Sequence, residues 1–431
     1  MNELIIKILS IINDKLWIFI SVLMIYTGIY FTYRLKGISF NIIKMIKELL
    51  KKENNNTGIT PFKTLMLSLA GRIGVGSISG IALAIYLGGP GTIFWIWFIS
   101  LLSTPLTYAE TYLGIKYREI DKNNNYIGGP SYYIKKTLKN HKLASIYSIV
   151  ILISFITGFI SIQSNTITKS ITTIYNINSL IIGLILSIIT LIIIFGGINK
   201  IVSTTSKIVP IMSLLYIGIS LYITITNIGL IPNIIKSIIS DAFNIKTFTS
   251  SFLPIMILGV QRGIFSSEAG TGTCAIAAST SNSNNPISQG YIQMLGIYVT
   301  SFLICTSTAI IVLTSNYKIL NITDINGIEI ASNAFKYHLG NIGNILLVLL
   351  IILFAFSTIL TGYYYGESCL EYLNKQNKFN ITILKIITII IIFIGSFFSS
   401  TVMWKFTDLF IGILILINTY SIIKLRDEIK K

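Results

Sequence analysis

The residues best suited to binding chemistry lie in one apolar stretch, residues 67–98. Its first half, LSLAGRIGVGSISG, combines glycines with a few polar residues: Gly71, Arg72, Gly74, Gly76, Ser77, Ser79 and Gly80. Glycine destabilises a helix interior by about 1 kcal/mol relative to alanine, so this pattern predicts a helix that unwinds part-way along. In a bilayer, unpaired backbone survives only where protein encloses it. Such a break is typical of a transporter binding site; close packing of helices through small residues is the alternative.

The unwound backbone would offer two kinds of binding group. Amide N–H groups from one half-helix attract an anionic group, and carbonyl groups from the other half attract a small cation. We expect the amides of residues 76–78 to face the anion, and the carbonyls of Ala70 and Ile73 to face the cation. The hydroxyls of Ser357 and Thr358, in a later apolar segment, could add oxygen ligands. Hydrogen bonding to their own helix is the alternative role for these hydroxyls.

Polar side chains inside apolar segments are costly and are therefore candidates for function. Gln163 lies in the middle of one segment and could bind the amino or carboxylate group of a substrate; an interhelical hydrogen bond is the alternative. Arg72 could attract anions, or it could extend its charged head to the membrane surface. Glu110, near the end of its segment, is predicted to be a structural or gating partner of another charge.

A second glycine-rich segment, GVQRGIFSSEAGTGT at residues 259–273, repeats the features of the first. It contains Arg262 and, further along, Glu268. We interpret these two side chains as an internal ion pair or a helix cap, with a structural or gating role. The segment predicts a second broken helix.

The composition limits the protein to one broad class. Of its 431 residues, 53% are hydrophobic and only 11% are charged, whereas soluble domains contain about 25% charged residues. The apolar segments are long enough to span hydrocarbon, which takes about 20 residues each. They predict an all-α membrane protein with about 11 transmembrane helices. Because the sequence shows no nucleophile–base pattern, phosphate-binding loop or metal-ligand cluster, we expect no enzyme activity and no cofactor.

The apolar segments predict an internal repeat. Residues 1–60 hold one extra transmembrane helix and a basic amphipathic segment suited to the cytoplasmic membrane surface. The broken helices are the second and the seventh, and each opens a set of five, over residues 61–228 and 250–424. Five crossings per set force the two sets into opposite orientations, as in inverted-repeat transporters. Residues 425–431 form a predicted cytoplasmic tail.

The net charge of +17 is concentrated in loops on one side of the predicted membrane. Basic loops tend to stay in the cytoplasm, so we expect the N-terminus outside and the C-terminus inside the cell membrane. The positive loops would then face anionic membrane lipid. We expect no nucleic-acid partner and no obligate protein partner.

Several motifs together resemble one known family. In chain order they are SLAGRIGVGSISGIALAIYLGGPGTIFWIWF, YAETYLGIKYR, YIGGPSYYI, IIFGGINKI, RGIFSSEAGTGT, PISQGYIQMLG, ICTSTA and FSTIL followed by YYGE. This pattern is similar to the alanine or glycine:cation symporters. The resemblance implies a leucine-transporter-like fold, with a five-plus-five inverted repeat and two discontinuous helices. It also implies Na⁺-driven uptake of a small neutral amino acid into the cell by alternating access.

The motifs and the resemblance together indicate a set of site residues. Substrate contacts are expected at Val75, Gly76, Ser77, Gln163, Ser267, Thr361 and Gly362. Cation contacts are expected at Ala70, Ile73, Ser357 and Thr358, with Na⁺ as the coupling ion. The gating or structural charges are Glu110, Arg262 and Glu268.

The sequence departs from the family's pattern at four positions: Val75, Ser77, Thr300 and Gly362. Glycine stands where the family has tryptophan at position 362, so we expect room for a neutral amino acid larger than alanine. Serine for asparagine at position 77 and threonine for aspartate at position 300 remove oxygen ligands. We therefore expect one Na⁺ per transport cycle rather than two.

Two other functions are consistent with the same sequence. Proton coupling through Glu110 or Glu268 could replace sodium coupling. A channel or a non-transporting sensor could use the same fold.

Overall fold

The computed structural model describes residues 2–51, 58–121, 124–175, 177–244, 252–317, 327–374, 378–398 and 400–431. Its helices are α1 (Asn2–Arg34), α2 (Ile42–Leu50), α3 (Pro61–Arg72), α4 (Ile81–Gly88), α5 (Gly91–Lys116), α6 (Pro130–Leu138), α7 (His141–Ile151), α8 (Ile160–Thr172), α9 (Ser179–Ile194), α10 (Gly197–Thr226), α11 (Ile231–Ala242), α12 (Leu253–Ser267), α13 (Thr273–Ser279), α14 (Pro286–Ile297), α15 (Thr306–Leu313), α16 (Gly327–Asn374), α17 (Lys378–Gly395) and α18 (Ser400–Lys424). Within the described residues, the segments Gly76–Gly80, Leu152–Phe159 and Tyr298–Cys305 are π-helical.

The apolar helices agree in number with the predicted spans. Seven are long and apolar enough to cross a membrane: α1, α5, α7 continued into α8, α10, α14 continued into α15, α16 and α18. The bent pair α3–α4 makes an eighth, and α9, α12 and α17 are shorter apolar helices. Together these are eleven segments, as the sequence predicts. Helix α16 also contains a kink at Gly340, whose φ of 62° lies outside the helical region.

The predicted break in the first glycine-rich segment is present. Helix α3 ends at Arg72, and Ile73 leaves the helical conformation with φ −88° and ψ 70°. The chain resumes as the π-helical turn and α4, which are bent by 51° from α3. The interruption therefore falls among the glycines that disfavour a continuous helix.

The second glycine-rich segment is also interrupted. Helix α12 ends at Ser267, and Glu268 follows in the left-handed conformation with φ 51° and ψ 14°. This conformation costs a non-glycine residue roughly 1–2 kcal/mol. Gly272 has φ 90° directly before α13 begins. The predicted second discontinuous helix is thus α12 followed by α13.

Two long helices position the broken ones. Helix α5 packs along α12, α13 and α14, whereas α16 packs along α3, α8 and α10. The outer faces of the bundle remain apolar; on α9, for example, Leu184, Ile185 and Ile188 are exposed. Lipid hydrocarbon solvates such side chains as well as a protein core does.

Two connections between the apolar helices contain secondary structure of their own. A short antiparallel ribbon pairs Glu119 with Ile127 and Ile120 with Tyr126. Helix α11 forms within the link before the seventh span, where Pro232 occupies its first turn. Proline is well tolerated there because the first-turn N–H groups have no partner within the helix. Helix α11 packs on α5.

The basic segment after α1 contains the amphipathic helix α2. This helix packs on α14 and buries Met45, while Ile43 and Leu50 are exposed. The Lys44 ammonium lies 4.3 Å from the ring centroid of Tyr291. Its position at the membrane surface stays a prediction.

The C-terminal tail is packed against the bundle. The Lys116 ammonium lies 2.5 Å from Glu428 Oε2, and the Tyr117 hydroxyl donates to the same oxygen at 2.9 Å. The hydrogen bond from Lys116 keeps the pKa of the Glu428 carboxyl below its usual value. The Tyr108 hydroxyl donates to the Lys430 carbonyl at 2.7 Å. These contacts join α5 to the end of the chain.

Candidate functional site

The broken end of α3 meets α16 through a backbone carbonyl and a hydroxyl. The Thr358 hydroxyl lies 2.8 Å from the Ala70 carbonyl oxygen and 2.9 Å from the Phe354 carbonyl. One turn further along α16, the Thr361 hydroxyl lies 3.3 Å from the Leu67 carbonyl. The structure therefore brings two of the predicted cation-site residues, Ala70 and Thr358, into direct contact.

The other two predicted cation-site residues lie beside this contact. The Ile73 N–H donates to the Leu69 carbonyl at 2.7 Å, and Ile73 is the first residue of the break. The Ser357 hydroxyl lies 3.0 Å from the Phe354 carbonyl and 3.7 Å from the Met212 sulfur on α10. Ser357 is thus directed at α10, whereas Thr358 is directed at the break.

Gln163 on α8 also reaches the break. Its Oε1 accepts a hydrogen bond from the Val75 N–H at 3.1 Å. The side chain is fully buried, and its Nε2 has no hydrogen-bond partner among the described residues. An unsatisfied buried amide costs about 1–3 kcal/mol. This NH₂ group is a donor available to a ligand at the break.

The amide of Ser77 is not free, which corrects one prediction. The Ser77 N–H donates to the Gly74 carbonyl at 3.1 Å. The Ser77 hydroxyl donates to the Arg72 carbonyl at 3.3 Å, and the Thr308 hydroxyl donates to the Ser77 carbonyl at 2.7 Å. These bonds replace the helical ladder that the break interrupts, because buried backbone groups require partners.

Aromatic rings cover the break. The Phe265 ring packs so closely on Gly76 that a Cβ at residue 76 would lie 2.7 Å from it. Phe265 stacks on Phe159 with centroids 4.8 Å apart, and Phe159 stacks on Phe155 at 4.6 Å. On its other side Phe265 meets Trp404 at 4.9 Å. The space beside Gly76 is therefore apolar and closed.

Apolar side chains line Gly362, the position where open space was expected. A Cβ at this position would lie 3.5 Å from Ile160 and 3.6 Å from Phe155, both ordinary contacts. Side chains from the neighbouring helix thus line this position. Gly362 gives no support for a larger substrate. Thr300 is likewise buried, with its hydroxyl donating to the Gly296 carbonyl at 2.9 Å.

Of the two predicted roles, the ion pair between Arg262 and Glu268 is wrong, because Arg262 pairs with Asp408 on α18; Glu268 is instead the C-cap residue of α12. The Arg262 Nη2 lies 3.0 Å from Asp408 Oδ2, and both side chains are largely buried. The guanidinium also lies 5.1 Å from the ring centroid of Trp404. Asp408 was not among the predicted charges, although an acid within the apolar segment WKFTDLFIG was a signal for it.

Two buried carboxylates accept hydrogen bonds from residues of the second break. The Glu268 Oε2 accepts a hydrogen bond from the Thr273 hydroxyl at 2.7 Å. The Glu110 Oε2 accepts from the Gly272 N–H at 3.0 Å and from Asn418 Nδ2 at 2.9 Å. Ser267, a predicted substrate contact, is buried, and its hydroxyl accepts a hydrogen bond from the Ala269 N–H at 3.4 Å.

Arg72 does not extend toward the membrane surface. Its side chain is only 2% exposed. Its Nη1 donates to the Gln293 carbonyl at 3.0 Å, and its Nη2 contacts the Cys274 thiol. Cys274 thus has a charged partner inside the bundle.

The chain is similar to several known proteins. The chain is 34% identical to the amino-acid carrier protein AlsT of Bacillus subtilis, over 96% of this chain and 88% of that protein. It is 35% identical to the probable sodium/glutamine symporter GlnT of the same organism, over 98% of this chain and 88% of that protein. The crystal structure of MhsT in complex with L-phenylalanine superposes with a TM-score of 0.60 at 12% identity, covering 84% of this chain and 89% of that chain.

The superposition on MhsT confirms the leucine-transporter-like fold that the resemblance implied. The model of the sodium:alanine symporter family matches residues 2–431. The chain therefore belongs to the sodium:alanine symporter family.

Proposed function

We propose that the protein couples Na⁺ entry to uptake of a neutral amino acid by alternating access. The observation that carries the proposal is the contact at the first break. There the Ala70 carbonyl, the Thr358 hydroxyl and the free Nε2 group of Gln163 lie beside the glycine-rich break. Paired carbonyl and hydroxyl oxygens suit a small hard cation, and a free N–H suits a carboxylate. The family and the multi-pass helices support a cell-membrane location.

The cation would bind where Thr358 now contacts Ala70. A Na⁺ ion between these residues takes both oxygens as ligands, and Ile73 and Ser357 lie beside them to complete its shell. Binding there joins α16 to the broken end of α3. The ion would thus order the first break before the amino acid is enclosed.

The amino acid would bind on the other side of the break. Gln163 Nε2 and the backbone of Val75 and Gly76 are its proposed polar contacts, with Ser267 and Thr361 at the edges. The side chain would lie against Phe159 and Phe265, which favours a neutral substrate because burial of an unpaired charge is costly. Displacement of the Phe265 ring from Gly76 would supply the space for the substrate side chain. Alanine is the family's substrate by name, and GlnT adds glutamine as a candidate.

Alternating access requires two bodies and a gate. We propose the repeats 61–228 and 250–424 as the inverted halves, with the N-terminus outside and the C-terminus in the cytoplasm. The ion pair of Arg262 and Asp408 would form the gate on one side of the site. Glu110 and Glu268 would form the gate on the other side. The glycine breaks would serve as hinges.

A competition assay tests the substrate class. Uptake of labelled alanine into proteoliposomes should be reduced by unlabelled alanine, glycine and glutamine, and left unchanged by lysine and glutamate. Competition by the charged amino acids alone would contradict the proposed site. Competition restricted to alanine and glycine would exclude a larger substrate.

Thr358→Val should selectively weaken sodium activation. Valine keeps the shape of threonine but removes the oxygen that faces Ala70. We expect the Na⁺ concentration for half-maximal uptake to rise about tenfold, equivalent to roughly 1.4 kcal/mol. Thr388→Val is the matched control, because Thr388 is also buried and bonded to a carbonyl one turn back, but on α17. Equal sodium activation in the two variants would exclude Thr358 as a ligand.

A further inference from the structure

Arg118, which lies just beyond the end of α5, binds the link that follows α13. Its Nη1 donates to the Ser279 carbonyl at 3.2 Å and to the Ser281 carbonyl at 2.5 Å. Its Nη2 donates to the Ser283 carbonyl at 2.9 Å and to the side-chain carbonyl of Asn284 at 2.6 Å. A guanidinium presents its N–H groups as a planar fork, which a lysine ammonium cannot reproduce. One side chain therefore holds this link from Ser279 to Asn284.

The antiparallel ribbon fixes the position of the Arg118 guanidinium. The central carbon of the guanidinium lies 3.7 Å from the ring centroid of Tyr126, which is within the range of a cation–π contact. Tyr126 is itself held in the ribbon by pairing with Ile120. The ribbon packs closely on α13, since a Cβ on Gly128 would lie 2.5 Å from the Ser279 hydroxyl oxygen. Arg118 is thus part of a fixed support at the end of α13.

The link after α13 also pairs with the chain that enters α3. The Asn282 N–H donates to the Ile59 carbonyl at 2.8 Å, and Ile59 forms a parallel bridge with Ser281. Thr60, the next residue, is the N-cap of α3. Helix α3 thus begins at this junction and ends at the first break, whereas α13 begins at the second break and ends here. The start of α3 can leave α13 only if the Ile59–Asn282 pairing breaks or the link moves away from Arg118.

A cavity of about 820 Å³ lies beside this junction, and Ile59, Tyr126 and Asn282 are among the residues that line it. The end of α5 next to Arg118 contacts the C-terminal tail through Lys116, so the junction is on the proposed cytoplasmic side. Helix α3 has 12 residues, which place about 18 Å of helix between the junction and the first break. Displacement of α3 at the junction is therefore the movement that would connect the cavity with the proposed site.

We propose that Arg118 is a positioning residue of the cytoplasmic gate. In the closed conformation it holds the link against the start of α3, and it releases the link when α3 moves and the site opens toward the cavity. The four acceptors on the link are neutral and the Arg118 side chain is partly exposed, so water can replace these hydrogen bonds during opening. This inference rests on the proposed alternating access, which requires the site to open on this side.

A native cysteine can report the separation of α3 from α13. The Cys274 thiol is fully buried on α13 and contacts the Arg72 guanidinium at the end of α3. Reaction of a thiol with a maleimide requires access to the sulfur atom, so Cys274 should react only when the two helices move apart. Cys369 is also buried, but it lies on α16 beside Ser131 and Ser148 of α6 and α7. It serves as the internal control in the same molecule.

Arg118→Gln should expose Cys274 selectively. The purified protein in detergent is treated with N-ethylmaleimide, and mass spectrometry follows the modification of each cysteine. Loss of the guanidinium fork shifts the gate toward its open form, so we expect modification of Cys274 to become about tenfold faster. Cys369 should react at the wild-type rate. Arg34→Gln is the matched control, because it removes an arginine that also donates to a backbone carbonyl, that of the tail residue Arg426; it should leave both rates unchanged.

Two results would overturn the proposal. An unchanged rate at Cys274 in Arg118→Gln would show that the gate does not depend on this side chain. An equal rise at Cys274 and Cys369 would show that Arg118 stabilises the fold in general and not the gate. Because labelling measures opening without transport, it also separates this inference from the proposed function. Absence of any Na⁺-driven uptake by the wild-type protein in proteoliposomes would contradict the proposed function, whereas the labelling rates would still decide the role of Arg118.

Discussion

Gly74→Ala is expected to abolish transport while leaving the protein folded. A Cβ at position 74 would lie 2.6 Å from the Thr358 hydroxyl oxygen and 3.3 Å from Gln163 Oε1. Distances under 3.0 Å are not found for real Cβ atoms, so Thr358 must move away from Ala70. The added methyl group therefore separates the two oxygens proposed for Na⁺ and also displaces the amide proposed for the substrate. We expect uptake to fall at least about 100-fold, corresponding to roughly 2.7 kcal/mol.

Gly218→Ala provides the matched control. Gly218 lies within α10 and a Cβ there meets no atom within 4 Å. Alanine stabilises a helix interior relative to glycine by about 1 kcal/mol. Uptake by this variant should equal that of the wild-type protein, with an unchanged elution profile in detergent for both variants. Wild-type uptake by Gly74→Ala would show that the first break is not the binding site.

Asp408→Asn is expected to cause the largest loss of stability. It leaves the Arg262 guanidinium buried without its counter-ion, 3.0 Å from a neutral amide. Removal of one partner of a buried ion pair costs about 3–5 kcal/mol. We expect the unfolding temperature in detergent to fall by about 5 °C or more.

Two further variants make the Asp408 result interpretable. The double variant Arg262→Met with Asp408→Leu removes both charges and should recover most of the lost stability, because apolar packing often equals a buried ion pair. Asp427→Asn removes the partner of Arg34 in an exposed pair and should change the unfolding free energy by at most about 1 kcal/mol. An Asp408→Asn protein as stable as the wild type would contradict a buried ion pair at this position.

The two broken helices were predictable because glycine destabilises a helix at the position where it occurs. The breaks after Arg72 and after Ser267 fall among the glycines that mark them in the sequence. The span count was predictable for a similar reason, since hydrocarbon thickness fixes the length of each apolar segment. Helix α11 was not predicted, although isoleucines recur at helical spacing in its segment IPNIIKSIISDA; its packing on α5 is a contact between distant segments.

The partners of the polar side chains were not predictable from spacing along one helix. Arg262 and Glu268 are close in sequence, yet Arg262 reaches α18 for its counter-ion, Asp408. Gly362 was expected to open space, but Phe155 and Ile160 from a neighbouring helix line that position. Both outcomes depend on contacts between distant segments, which a single sequence does not specify. Phe265, whose ring covers Gly76, shows the same limit: nothing in its local sequence indicates where the ring points.

Reconstituted uptake driven by a sodium gradient is the most direct test of the proposed symport. Purified protein in proteoliposomes should accumulate labelled alanine or glutamine against its gradient when Na⁺ is higher outside. Accumulation should stop when an ionophore removes the Na⁺ gradient, while exchange of labelled for unlabelled substrate continues. Equal accumulation with choline in place of Na⁺, or flux that does not saturate with substrate, would contradict sodium-coupled symport.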